Sequence, residues 1–121
     1  MAMAPRRRIP PGKPVAWLVD VWKAPPMSRE AAIEAGYLLR KVQQGKRLTM
    51  PDSLPFPDIG KRCHELRIKD GEKKTWWRIA YRTDKDAVVV IHWFEKKSNR
   101  TPKREIETCK ARLRSYDEED D

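Results

Sequence analysis

Apolar residues are gathered into a few segments, and their spacing differs from one segment to the next. In "TWWRIAYR" (75–82), Trp77, Ile79 and Tyr81 alternate with Trp76, Arg78, Ala80 and Arg82. In "RCHELRIK" (62–69), His64, Leu66 and Ile68 alternate with Cys63, Glu65, Arg67 and Lys69. A period of two belongs to strands with one buried face. "AVVVIHWF" (87–94) is almost wholly apolar, as expected of an interior strand covered on both sides. The connections "DGEKK" and "TDKD" are short and polar, so the three strands are predicted to form antiparallel hairpins. "VAWLVDVW" (15–22), rich in β-branched and aromatic residues, predicts a further strand.

Two segments follow a helical period instead. After the break "APPM", Ser28 can cap a helix reading "SREAAIEAGYLLRKVQQG", with Ile33, Tyr37, Leu38 and Val42 near helical spacing. Gly45 suits its end, and Gly36 within it is expected to let another element come close. Thr101 and Pro102 signal the start of a second helix, in which Ile106, Cys109, Leu113 and Tyr116 share a face. "LTMPDSLPFPDIG" (48–60), with three prolines, is expected to be a loop. The predicted organisation is a disordered basic arm (1–14), one domain (15–116) and a solvated acidic tail (117–121).

Charge sharpens this picture. The 121 residues carry a formal charge of +9. With the four cations of residues 1–14 and the five acids of residues 117–121 set aside, 23 basic and 13 acidic residues remain. The domain itself is therefore basic, which suits nucleic acid or an acidic partner. No stretch approaches eighteen apolar residues, so no membrane span is expected. The start lacks the apolar region of a signal peptide, and a cytoplasmic location with Cys63 and Cys109 reduced is expected. The two cysteines form no CxxC, and no metal or other cofactor is predicted.

Strand alternation collects Arg67, Arg78 and Arg82 on the face opposite the apolar one. Like charges on neighbouring strands are destabilising, so a compensator is required. Glu65 can pair with Arg78 or Arg82; alternatively an external anion is held, since guanidinium groups match phosphate oxygens in pairs. Lys96 and Lys97 leave the end of the adjoining strand and can join this face, with Lys69 on the same side. The start of the final helix adds exposed N–H groups, with Lys103 and Arg104 beside them. His64 and Tyr81 fall on the apolar face. His92 and Glu65 are the remaining acid–base candidates. His92 alternates with Val90 and Phe94 and reads more readily as a packed ring, and Glu65 is also readable as the partner of an arginine.

"EAGYLLRKVQQGKRLTMP", "IGKRCHELRIKD", "WWRIAYR" and "VVVIHWFEKKSNRTPKREIETCKAR" resemble the phage-derived HigB-like branch of the RelE/ParE toxin superfamily, from about residue 17 to 116. The resemblance implies an α+β fold, a RelE-like antiparallel sheet of about four strands packed against N-terminal and C-terminal helices, both on one face. It implies the toxin of a type II toxin–antitoxin pair, typically a ribosome-dependent messenger RNA endonuclease, neutralised by a helix-turn-helix antitoxin of the HigA kind encoded beside it. The family's strand arginine matches Arg78, and its basic residue after the last strand matches Lys97, with Lys96 adjacent. Arg67 matches a recurrent position, in a catalytic or a pairing role. Where RelE has lysines and a catalytic tyrosine, this chain has Cys63, Glu65 and, near the helix start, Pro102 and Lys103, so the acid and base do not carry over. The ParE branch inhibits DNA gyrase, and the shared fold leaves that activity, or RNA binding without cleavage, as alternatives.

Overall fold

The computed structural model describes residues 12–19 and 26–119. The elements run β1 (Val15–Trp17), α1 (Arg29–Gln43), β2 (Ser53–Pro55), β3 (Cys63–Asp70), β4 (Thr75–Thr83), β5 (Val88–Lys96) and α2 (Lys103–Glu119). The fold is α+β, as the sequence implies. The sheet has five strands in the order β1-β5-β4-β3-β2, and all pairs are antiparallel except β1 with β5. The extra strand, β2, lies within the proline-rich stretch expected to be a loop. Its Pro55 is tolerated because β2 is an edge strand, where one side of the backbone needs no ladder partner.

The two helices cover opposite faces of the sheet rather than one. Ala31, Ala35, Leu38, Leu39 and Val42 of α1 pack on Leu66, Ile68, Trp77, Ile79 and Tyr81. Cys109 and Leu113 of α2 pack on Cys63, Ala80, Val89, Ile91 and Phe94. This explains the unbroken apolar run of β5, whose Val88 and Val90 serve one core and Val89 and Ile91 the other. The face expected to be open is thus partly roofed by α2.

Ser28 caps α1, its hydroxyl accepting from the Ala31 amide. Buried Asp70 fastens this end to the sheet, accepting from the Ser28 amide at 2.8 Å, the Trp77 indole at 3.0 Å and the Lys73 amide at 3.0 Å. These three donors hold its carboxyl well below the usual range, against the opposing effect of burial. Gly45, with φ of +85°, closes the helix at its other end. Two of the apolar positions assigned to α1 point outward: Ile33 is 61% and Tyr37 56% exposed. Gly36 lies on this outer side, where an added Cβ would meet nothing within 4 Å, contrary to the expected close approach. Gly36→Ala is therefore expected to stabilise the fold by about 1 kcal/mol through helix propensity alone, read as a raised midpoint in urea.

Residues 12–14 and 117–119, assigned from the sequence to the arm and the tail, are placed in the structure. The basic arm's residues 1–11, and residues 20–25 from the end of the first predicted strand onward, lie outside the described residues. Residues 12–14 are held: the Lys13 amide donates to the Gln43 carbonyl and the Pro14 carbonyl accepts from Val88. Residues 117–119 of the acidic segment continue α2, because Asp117 finds Arg82. The last two residues lie outside the described ones.

Candidate functional site

Arg67 and Arg78 are directly opposite each other on β3 and β4, and strand alternation turns both toward the α2 side of the sheet. Lys96, the last residue of β5, pairs with Trp76 and shares that side. Together they line a groove of about 520 Å³, walled by residues 54–58 and by Asn99, Arg100 and Thr101 ahead of α2. Its cations are Arg67, Arg78, Lys96 and Arg100; its carboxylates are Glu65 and Asp58. The balance is positive.

Arg78 is 5% exposed. Its Nη1 donates to the Thr101 hydroxyl at 2.7 Å, joining the sheet to the turn before α2. Glu65 lies 3.6 Å from its Nε, which makes an ion pair but not a hydrogen bond. The Nε atoms of Arg67 and Arg78 are both buried without a hydrogen-bond partner among the described residues. A buried donor left without a hydrogen bond is destabilising; these two atoms are closed to solvent, and it is the gathering of Arg67, Arg78 and Lys96 along one open groove that suits an external anion. Phosphate oxygens suit it, since they accept from guanidinium forks.

Glu65 is also 5% exposed. Burial pushes its carboxyl above the ordinary glutamate value, and Arg78, Arg67 and Lys96 oppose that rise without cancelling it. Lys96 moves the other way: burial, then Arg67 and Arg78, lower its ammonium group, with Glu65 working against them. The protonation of Glu65 and of Lys96 is thus set by the two arginines and by each other.

The other predicted site residues lie elsewhere. Arg82 packs in a separate ion cluster: Nε and Nη2 bond both oxygens of Asp84 at 2.7 and 2.9 Å, and Nη1 and Nη2 bond both oxygens of Asp117 at 3.0 and 2.7 Å. All its nitrogens are engaged, so the expected grouping of three arginines reduces to two. Lys97 lies one residue beyond β5, exposed and outside the groove lining, because the alternation that brings Lys96 to Arg78 ends there. Lys103 and Arg104 are exposed on the first turn of α2, with the Lys103 ammonium 3.9 Å from Glu107. Lys69 lines an adjoining groove with Arg67 and Trp76.

His92 does not line the groove and is bonded through both ring nitrogens. Its Nδ1 accepts from Arg112 at 3.0 Å, and its Nε2 meets Glu105 at 3.1 Å. Since arginine can only donate, Nδ1 is the bare nitrogen and Nε2–H donates to Glu105. A register shift in the β4–β5 pairing at Ala80/Tyr81 places His92 opposite Ala80, where it stacks on Phe94 at 5.4 Å and turns away from the side of Val90. His64 stacks on Tyr81 at 5.3 Å, on the α1 side, and the Tyr81 hydroxyl bonds Ser53 at 2.7 Å.

The family model for phage derived protein Gp49-like (DUF891) matches residues 23–114. The chain belongs to the Gp49-like family. This is a RelE-like family of toxins from toxin–antitoxin systems, so an antitoxin partner is implied. No curated protein matches the sequence. The matched segment of this Gp49-like chain contains every residue of the groove, all of α1 and α2 as far as Arg114, and omits β1 and the last turn of α2. Asn99, Arg100 and Thr101 were not among the sequence candidates. The signal for them was present in "KKSNRTP": polar residues that must carry the chain from a strand end to a helix start cross the end of the sheet where Arg78 emerges. Among the described residues there is no cluster of side chains suited to a metal ion, and no helix is long and apolar enough to cross a membrane.

Proposed function

We propose that this Gp49-like protein acts in the cytoplasm as a ribosome-dependent messenger RNA endonuclease, of the HigB-like kind, held in check by a helix-turn-helix antitoxin. The observation that carries the reading is the gathering of Arg67, Arg78 and Lys96 in one open groove. The substrate is the RNA backbone. The ribose 2′-OH gives up its proton to a base as its oxygen attacks the adjacent phosphorus. The bond to the 5′-oxygen breaks with a proton delivered to that leaving oxygen, and the charge that develops on the phosphoryl oxygens is met by Arg67, Arg78 and Lys96. Fixed donors of this kind are often the largest contribution to such catalysis. Glu65, whose carboxyl gives up its proton less readily than an ordinary glutamate, is the proton-transfer group within reach of that centre. Other acid–base groups would come from the ribosome.

The test is to add the protein to translating ribosomes and map messenger 5′ ends. New ends dependent on Lys96 and Arg78 are expected. Intact messages together with trapped, cleaved gyrase–DNA complexes would assign the groove to the inhibition of gyrase instead.

Glu65 also sets a pH dependence. With its folded value raised, Glu65 favours the protonated state, so the stability it contributes is full below its unfolded value and is lost as pH rises through the folded one. Protonation also removes the negative charge beside the bound phosphate. RNA affinity, measured by anisotropy between about pH 4 and 7, is expected to strengthen as pH falls through the raised value, and Glu65→Gln to flatten that profile.

A further inference from the structure

Trp76 has no place in the core: 38% of it is exposed, on a strand whose next six residues are all buried. It stands on the same side of the sheet as Arg67 and Arg78, between Lys69 on β3 and Lys96 on β5, its two cross-strand partners. The Arg67 guanidinium carbon lies 5.6 Å from its ring centre, a cation–π contact. Arg67 is therefore shared. It lines the cationic groove with Arg78 and Lys96, and it lines an adjoining groove of about 350 Å³ with Trp76 and Lys69.

The adjoining groove differs in chemistry. Glu30, Glu34 and Asp52 form part of its wall. Three carboxylates repel a phosphate, so this is a poor continuation of a backbone track. It suits the uncharged part of a nucleotide: an aromatic platform at one side and hydrogen-bond acceptors at the other. A polynucleotide whose phosphate rests on Arg67 and Arg78 has a base within a few ångströms of that phosphate, and a base–indole stack tolerates any base identity.

We infer that Trp76 is a stacking platform for an unpaired nucleobase next to the phosphate held by Arg67 and Arg78, which makes single-stranded RNA the preferred form of the ligand. The inference rests on the proposed phosphate site and adds a base subsite to it. A duplex keeps its bases inside the stack and cannot offer one to the indole.

The experiment uses the full chain and an end-labelled single-stranded RNA of about ten nucleotides, followed by anisotropy, with circular dichroism melts to show that each variant folds. Trp76→Ala is expected to weaken binding about ten-fold, and Trp76→Phe to keep most of the affinity. The dependence of binding on salt should not change, because no phosphate contact is lost. An RNA carrying abasic riboses should bind the wild-type chain and Trp76→Ala equally. Unchanged affinity of Trp76→Ala for the intact RNA would overturn the inference, as would an equal loss on the abasic RNA. The phosphate site fails separately: in that case Lys96→Ala and added salt leave affinity unaltered while the effect of Trp76 persists. A wild-type chain that binds no RNA sinks both.

Discussion

Arg78→Ala is expected to slow messenger cleavage on translating ribosomes by about 10²- to 10³-fold and to destabilise the fold by about 3 kcal/mol. The first effect follows from removing a fixed donor from the place where phosphoryl charge develops. The second follows from Glu65, which is left buried beside Arg67 and Lys96 without its nearest cation. The destabilisation falls at the low end for a broken buried pair because Glu65 can take up a proton, a state that burial already favours. The two effects separate in the double variant Arg78→Ala/Glu65→Gln. Removing the stranded charge should recover most of the stability in urea melts, yet leave cleavage at least as slow as in the single variant, since Glu65 also serves the proton transfer. Arg78→Lys keeps the charge but not the fork that reaches both Thr101 and a phosphate, and should remain well below wild type. Normal cleavage by the folded double variant would remove Arg78 from the chemistry.

Arg82→Ala is expected to give the opposite signature. Its guanidinium ties the β4 end to Asp84 and to the last turns of α2 through Asp117. Loss of about 2–3 kcal/mol is expected from charged hydrogen bonds of this kind, with the Asp117 share discounted because that carboxylate is half exposed. Cleavage per folded molecule should be unchanged, since Arg82 is engaged by Asp84 and Asp117 and does not line the groove. Arg82 holds the Asp117 carboxyl below its ordinary value, so the stability this pair adds is present above the unfolded value and disappears as pH falls through the lowered one. Urea melts at neutral pH and near pH 3 should therefore differ less for Arg82→Ala than for wild type, as far as this pair is concerned. A specific loss of RNA affinity in this variant would return Arg82 to the binding surface.

These two arginines show where a pattern read from the chain stops being enough. Alternation correctly puts Arg67, Arg78 and Arg82 on one side of the sheet, because the period of a strand is a local property. It does not reveal what covers that side. The helix α2 lies across the Arg82 end and stops short of the Arg78 end, and only three-dimensional packing makes one arginine structural and leaves the other in an open groove. The same limit applies to His92: a shift of one residue in the pairing of β4 with β5 changes its side, and no period within β5 announces it. Ile33 and Tyr37 fall close enough to the helical period to pass as core, yet the stripe centred on Ala31, Ala35, Leu38 and Val42 is the one that meets the sheet. Short β2 is hidden because proline marks an edge strand and a loop alike. The hairpins β3–β4–β5, the Ser28 cap and the apolar face of α2 were legible because each is set by residues close together in the chain.

The parallel pairing of Val15 with Val88 joins the first strand among the described residues to the last. Contacts so distant in the chain form late, because a long loop must close before they are rewarded. The cationic groove is drawn from residues 54 to 101, and the roof beside it from α2, which follows. A nascent polypeptide therefore completes neither the sheet nor the groove before β5 and the turn at residues 99–101 have been made, and a fragment released earlier lacks part of the anion cradle.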